Sequence, residues 1–73
     1  MDKRNKFFSV AAAMLALKGI AFKFEGTYLD CRNFSITLDV HDKNKVWIEH
    51  DNKDVSFTQL DTFKKFIKLI IQR

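Results

Sequence analysis

The feature that most constrains this chain is the strict alternation of apolar and polar residues in FSITLDV, residues 34–40. Successive side chains of a β-strand point to opposite faces, so this pattern predicts a strand that packs on one side only. Strands of that kind are typical of an antiparallel sheet with one face open to solvent. The rest of the chain must therefore supply a layer that covers the other face. The apolar positions are Phe34, Ile36, Leu38 and Val40.

Two further segments complete the predicted sheet. IAFKFE, residues 20–25, alternates in the same way, and KVWIEH, residues 45–50, is predicted to be a third strand. The polar segment HDKNK, residues 41–45, supplies a short turn between the second and third strands. GTYLDCRN, residues 26–33, is interpreted as a loop or as a bulged continuation of the first hairpin. The sequence thus predicts a three-stranded antiparallel sheet.

The first helix is predicted over residues 2–18, which contain no Gly or Pro, and Gly19 stands where a C-terminal cap glycine belongs. One half of the helical wheel is apolar and is expected to cover the sheet: Phe7, Phe8, Val10, Met14, Leu15 and Leu17. The other half carries the small residues Ser9, Ala12, Ala13 and Ala16. These four residues are either exposed helix formers or a seam that allows a second copy of the chain to approach closely.

The second helix is predicted from a capping box, Ser56 followed by Gln59, and from a hydrophobic staple between Val55 and Leu60. Its apolar face comprises Leu60, Phe63, Phe66, Ile67, Ile70 and Ile71. Both helices are expected to lie on the same face of the sheet. The predicted fold is therefore a two-layer α+β domain of order α-β-β-β-α that occupies residues 1–73.

Composition bounds the class of protein. Apolar residues make up 47% of the 73 residues, which is enough for a small packed core. Cys31 is the only cysteine, so no disulfide forms within the chain, and a reducing, cytoplasmic location is expected. The apolar run of residues 7–17 is shorter than the ~20 residues that span a membrane. A signal peptide shares this profile, but its removal would uncover the sheet.

Catalytic and metal-binding residues are sparse. His41 and His50 have no Ser or Cys nucleophile at a recognisable spacing and no third residue with which to form a metal site. There is no glycine-rich phosphate loop. Arg32 is a basic neighbour of Cys31, but an inert, partly buried thiol is the favoured interpretation. We therefore expect a protein that is not an enzyme and that has no cofactor and no metal.

The most informative side chain is Trp47, which the alternation places on the outer face of the sheet together with Glu49. Thr37 and Lys23 are expected nearby, and the four residues form a candidate partner-binding site. A tryptophan on an open face can anchor a protein partner or stack a base, and it can also pack over its cross-strand neighbours. Carboxylates on the same face disfavour base stacking.

The net charge of +4 and the pI near 9.4 are compatible with an acidic partner, including nucleic acid. Solubility and compensation of the helix dipole are the favoured explanations of the same charges. Two basic clusters are the candidate nucleic-acid-binding residues: Lys3, Arg4 and Lys6, and then Lys64, Lys65 and Lys68 with Arg73 beyond them.

The predicted order of elements, the length and the basic charge resemble the double-stranded RNA-binding domain over the whole chain. The resemblance implies a nucleic-acid-binding module. The functional motifs of the family are not present, because GTYLDCRN lacks its Gly-Pro-x-His and SFTQLD lacks its lysine-rich helix start.

The segments IAFKFEGT, SITLDVHDKNKVWIEHDN and DTFKKFIKLI also resemble small phage-encoded anti-CRISPR proteins, which bind and block a host effector nuclease. This resemblance implies a non-enzymatic inhibitor from a phage or mobile element that binds a host protein or a protein–nucleic-acid complex. Members of that group are usually strongly acidic, whereas this chain is basic. Besides this hypothesis and the nucleic-acid-binding alternative, a self-associating structural protein is a third possibility, with the small-residue seam or an edge strand as the homodimer contact.

Overall fold

Five antiparallel strands form one sheet, in the spatial order in which they follow each other along the chain. The computed structural model describes residues 4–72. The elements are α1 (Arg4–Leu17), β1 (Phe22–Phe24), β2 (Tyr28–Cys31), β3 (Ser35–Leu38), β4 (Val46–His50), β5 (Lys53–Phe57) and α2 (Leu60–Ile71). The α+β class, the two helices and the antiparallel sheet are confirmed. The prediction of three strands is wrong, because two more strands, β2 and β5, belong to the sheet.

Two tight turns account for the additional strands. The β1–β2 hairpin turns at Gly26 (φ 69°) and Thr27, and Glu25 N donates a hydrogen bond to Tyr28 O at 2.9 Å. The β4–β5 hairpin turns at Asp51 and Asn52, whose φ angles are 53° and 61°. Positive φ at both central residues defines a type I′ turn, whose twist matches that of the strands it joins. Each turn returns the chain at once, and the following residues pair as a strand.

The fifth strand changes the start of the second helix. Ser56 and Val55, predicted to precede the helix as its cap and staple, instead pair with Trp47 and Ile48 of β4. The helix begins at Leu60 with Gln59 as the N-cap, and the Gln59 side chain makes no capping hydrogen bond. The predicted capping box is therefore wrong. Its residue pattern also fits a strand, because Val55 and Phe57 alternate with polar residues.

Both helices cover one face of the sheet. Across this face Leu29, Ile36 and Ile48 are aligned in one row, and all three are fully buried. The ring of Phe7 in α1 meets that of Phe63 in α2 edge-on, with centroids 4.8 Å apart, so the helices also pack against each other. The buried core consists of Phe7, Phe8, Ala11, Leu15, Leu29, Phe34, Ile36, Val46, Ile48, Phe57, Phe63, Ile67 and Ile70.

Helix α1 confirms part of its predicted apolar face. The helix buries a stripe of residues spaced by four, namely Phe7, Ala11 and Leu15, whereas Leu17 is 86% exposed. Leu17 lies about 200° around the helix from Leu15, on the side away from the sheet. Ala11 was not assigned to the apolar face, and its small side chain lets the helix approach the sheet closely. Ile20 N donates to Leu15 O at 2.9 Å beyond Gly19 (φ 69°), which confirms the predicted glycine cap.

Candidate partner-binding face

The side of the sheet that faces away from both helices presents two rows of side chains across the strands. We call this surface the open sheet face. Within residues 4–72 no helix or loop forms a second layer over it, because α1 and α2 both lie on the opposite side. One row consists of Lys23, Asp30, Ser35, Glu49 and Asp54, and the next consists of Tyr28, Thr37, Trp47 and Ser56.

Trp47 lies in the middle of the second row, between Thr37 on β3 and Ser56 on β5. Its indole Nε1 donates a hydrogen bond to Asp39 Oδ2 at 2.7 Å. The Lys45 ammonium lies 5.8 Å from the centroid of the ring, within range of a cation–π contact. The side chain is therefore held in one orientation while it stays partly exposed.

Asp39 accepts more than the indole hydrogen bond. Its Oδ1 also accepts from the backbone N–H of His41 at 2.8 Å and of Asp42 at 2.7 Å. These bonds to Asp42, Trp47 and His41 lower the pKa of Asp39 from 3.8 to about 2, because each of them stabilises the ionised carboxylate. Asp39 therefore fixes the β3–β4 turn and the tryptophan at the same time.

A second polar cluster lies at the β1 side of the open sheet face. Tyr28 Oη donates to Glu25 Oε2 at 2.9 Å, and Lys23 Nζ lies 2.9 Å from Glu25 Oε1. The bonds from Lys23 and then from Tyr28 lower the pKa of Glu25, and the bond to Glu25 raises the pKa of Tyr28. The carboxylate of Glu25 thus orients Tyr28, as the carboxylate of Asp39 orients Trp47.

Three of the four residues of the predicted partner-binding site lie close together in the sheet. Trp47, Thr37 and Glu49 are neighbours on β3 and β4, but Lys23 lies on β1, three strands away from Glu49 in the same row. At about 4.8 Å per strand the separation between their backbones is about 14 Å. Lys23 therefore belongs to the tyrosine cluster, and the expectation that it lies near Trp47 is wrong. The reason is strand β2, which separates β1 from β3.

The open sheet face is acidic although the chain is basic. The sheet and its turns contribute five carboxylates (Glu25, Asp30, Asp39, Glu49 and Asp54) and two lysines (Lys23 and Lys45), and Arg4 of α1 reaches the margin of the face beside Asp39. The whole chain has a net charge of +4. The positive charge is therefore concentrated elsewhere, and the two helices, with five basic residues and one acidic residue, carry a net charge of +4.

Helix α2 presents the predicted basic cluster on its outer surface. Lys64, Lys65 and Lys68 are exposed and line a shallow groove with Asp61 and with Met14 of α1. In the described part of the chain no hydrogen bond or ion pair holds the side chains of these three lysines. They are therefore exposed cations without a fixed partner among the described side chains, unlike Trp47 and Tyr28 on the open sheet face.

The amino-terminal basic cluster is less uniform. Lys6 is exposed on α1, whereas Arg4 Nη1 donates to the backbone oxygen of Asp39 at 2.9 Å and so ties α1 to the sheet. Lys3 and Arg73 lie outside the described residues. Of the small-residue seam, Ser9, Ala13 and Ala16 are exposed, but Ala12 packs partly against the core.

The remaining reactive residues have structural surroundings. The Cys31 thiol donates to Phe34 O at 3.3 Å, and burial raises the pKa of the thiol. His50 points toward the helices, where its ring meets that of Phe66 with centroids 6.3 Å apart. Among residues 4–72 no three His, Cys, Asp or Glu side chains come together as metal ligands.

Comparison with known proteins adds no relative: no family model, no curated protein and no solved structure matches this chain. Neither helix of the described residues is long and apolar enough to cross a bilayer.

Proposed function

We propose that this chain is a small, non-enzymatic binding protein whose open sheet face binds a basic surface on a host macromolecule. In this proposal it acts as an inhibitor encoded by a phage or mobile element, as its resemblance to anti-CRISPR proteins suggests. The observation that carries the proposal is Trp47, a large aromatic side chain held in one orientation at the middle of an uncovered, acidic surface.

The fixed orientation of Trp47 supports a role in binding, because a side chain that is already ordered loses less conformational entropy when a partner binds. Trp47 and Tyr28 are each fixed by a hydrogen bond to a carboxylate. Tryptophan and tyrosine are also the residues most enriched among those that dominate binding energy. The two aromatic residues lie in one cross-strand row, with Thr37 between them.

Charge indicates the class of partner. Five carboxylates against two lysines on the open sheet face attract a cationic surface and repel nucleic acid. Proteins that bind nucleic acid carry such cationic surfaces. The overall positive charge of the chain does not oppose this interaction, because the helical lysines lie on the other side of the molecule.

The proposal is tested by affinity capture from the native host with three forms of the chain: wild type, Trp47→Ala and Leu69→Ala. Leu69 is 63% exposed on α2 and serves as the matched control, because its substitution removes an exposed apolar side chain from the other side. We expect wild type and Leu69→Ala to capture the same protein, and Trp47→Ala to retain less than about a tenth of it. Nuclease treatment should leave the capture unchanged.

Thermal unfolding of the three forms separates binding from packing. If Trp47→Ala captures as much partner as wild type but unfolds at a much lower temperature, the tryptophan is a packing residue and the proposed site is wrong.

The second candidate function is nucleic-acid binding through the helical surface. It is favoured by the three exposed lysines of α2, Lys64, Lys65 and Lys68, which no other described side chain neutralises by an ion pair. This function requires binding to RNA or DNA that weakens steeply with salt. An absence of any gel shift at low salt would eliminate it.

A further inference from the structure

Strand β1 is an edge of the sheet and is unusually apolar for that position. Its aromatic residues Phe22 and Phe24 are 38% and 51% exposed. They line an open groove with Phe8 and Ser9 of α1. Proteins normally protect an edge strand with charges, prolines or a covering segment, because its free backbone groups pair readily with another strand. The groove above β1 has no such cover among residues 4–72.

The backbone of β1 is also arranged for pairing. Glu25 N donates to Tyr28 O in the β1–β2 hairpin, so Glu25 and, two residues earlier, Lys23 direct their backbone groups toward β2. Because these directions alternate along an antiparallel strand, the N–H and C=O groups of Phe22 and Phe24 point to the free edge. One more strand can therefore be added there.

We propose that this edge binds a second copy of the chain, with the two β1 strands antiparallel in one continuous sheet of ten strands. Phe24 lies opposite Phe24 of the second copy as a hydrogen-bonded pair on the helix-covered side. On the open side Lys23 then lies opposite Glu25 of the second copy, and Glu25 lies opposite its Lys23. The occupant is assigned by this charge complementarity, in which the Lys23–Glu25 ion pair within each copy (2.9 Å) is exchanged for an ion pair between the copies.

The register follows from the charges. In an antiparallel pair that keeps both sets of helices on one side, the pairing can shift only by two residues at a time. The shift that centres the pair on Lys23 places two lysines opposite each other, which is unfavourable. The register centred on Phe24 replaces that repulsion by two ion pairs at positions where backbones approach to about 4.5 Å.

The helix above the edge leaves room for the second copy. Ser9 lines the groove, and Ala12 and Ala16 follow it at i+3 and i+7 on the same side of α1. Small side chains at these positions allow the two α1 helices to approach each other. The opposite edge, β5, contrasts with this one, because its one aromatic residue, Phe57, is buried beneath the helices, whereas Phe22 and Phe24 of β1 are exposed.

The dimer does not depend on the proposed partner-binding function. It would place the two open sheet faces side by side and so present two copies of Trp47 to one partner. Failure of the dimer would leave the Trp47 site in place, and failure of partner capture would leave the dimer in place.

The test is sedimentation equilibrium of wild type, Lys23→Glu, Glu25→Lys and the double swap Lys23→Glu/Glu25→Lys. Lys23 is largely exposed, so its substitution leaves the core intact. Each single variant places like charges across the edge, and we expect its dimer dissociation constant to rise about tenfold. The double swap restores both ion pairs with reversed sign and should return to within about threefold of wild type.

Lys53→Glu is the matched control, because it makes the same charge change at the other edge and should leave the dissociation constant unchanged. A wild-type chain that is monomeric at millimolar concentration would overturn the proposal. So would a dimer that Lys53→Glu weakens, or one that the single variants at Lys23 and Glu25 leave unaffected.

Discussion

The two sides of this molecule differ in charge and in how firmly their side chains are held. On the open sheet face Trp47 and Tyr28 are fixed by hydrogen bonds to Asp39 and Glu25. On the helical side the lysine side chains of α2 make no ion pair or hydrogen bond with any described residue. The helices Arg4–Leu17 and Leu60–Ile71 together carry five basic residues and one acidic residue, whereas the open sheet face is acidic.

The side chains of the open sheet face are therefore ordered before a partner binds, whereas the outer surface of α2 offers charge without such order. Ordered aromatic side chains suit the recognition of one partner, because little entropy is lost on binding. Exposed lysines suit solubility and long-range attraction, which need charge but no defined geometry. The net charge of +4 is thus the sum of the charges on two surfaces of opposite sign, and it describes neither surface.

Asp39→Asn is expected to have the largest effect on the order of the open sheet face, because Asp39 holds both the β3–β4 turn and Trp47. The variant loses the charge and keeps only one acceptor oxygen, so its amide cannot accept from both the turn N–H groups and the indole, and Trp47 becomes less firmly oriented. We expect partner binding to weaken about tenfold, as measured by titration of the fluorescence of Trp47, the only tryptophan. Asp54→Asn is the control, since it removes a carboxylate of the same face that does not accept the hydrogen bond of the Trp47 indole.

The same carboxylate predicts a specific dependence of stability on pH. The folded-state pKa of Asp39 is about 2, below its ordinary value of 3.8. The stabilisation from its ionised form is therefore present above about pH 4 and is lost as the pH falls from 4 toward 2. Between these values the unfolding temperature of Asp39→Asn should fall less than that of wild type. Parallel curves would show that Asp39 is not the titrating group.

Much of the fold could be predicted because alternation and helical periodicity report burial directly. The strands around Ile36 and Ile48, the apolar face of α2 and the cap at Gly19 are all observed. Strands β2 and β5 were missed because their turns lack the strongest signal, Asn-Gly or Asp-Gly. Asp51 and Asn52 adopt the same positive φ angles without a glycine.

The prediction of the candidate site succeeded where it depended on the alternation of side chains along a strand. It failed where it depended on the number of strands in the sheet. Trp47, Glu49 and Thr37 share the open sheet face because each is one residue away from a buried neighbour on its strand. The position of Lys23 required knowledge of β2, which pairs between β1 and β3. The hydrogen bonds of Asp39 depend on the local shape of the β3–β4 turn, which the alternation of side chains does not define.

Asn52→Gly should have the smallest effect, a change in the stability of the β4–β5 turn. This turn positions β5, which contributes Asp54 and Ser56 to the open sheet face. Glycine adopts the φ of 61° at this position without steric penalty. We expect the free energy of unfolding to rise by about 0.5 kcal/mol in urea titrations. Asn33→Gly is the control: φ is not positive at Asn33, so stability should fall by a similar amount. A loss of stability in Asn52→Gly would argue against the type I′ turn.

The most direct test of the division into two surfaces is a residue-resolved NMR titration of the ¹⁵N-labelled chain with two probes. One probe is a peptide of about ten residues rich in lysine and arginine, and the other is an RNA duplex of about 16 base pairs. We predict that the peptide shifts the indole N–H of Trp47 and the amides of Thr37 and Glu49, and that it leaves those of Lys64 and Lys68 unchanged. Shifts confined to the α2 lysines on addition of RNA, with no response of Trp47 to the peptide, would contradict the account.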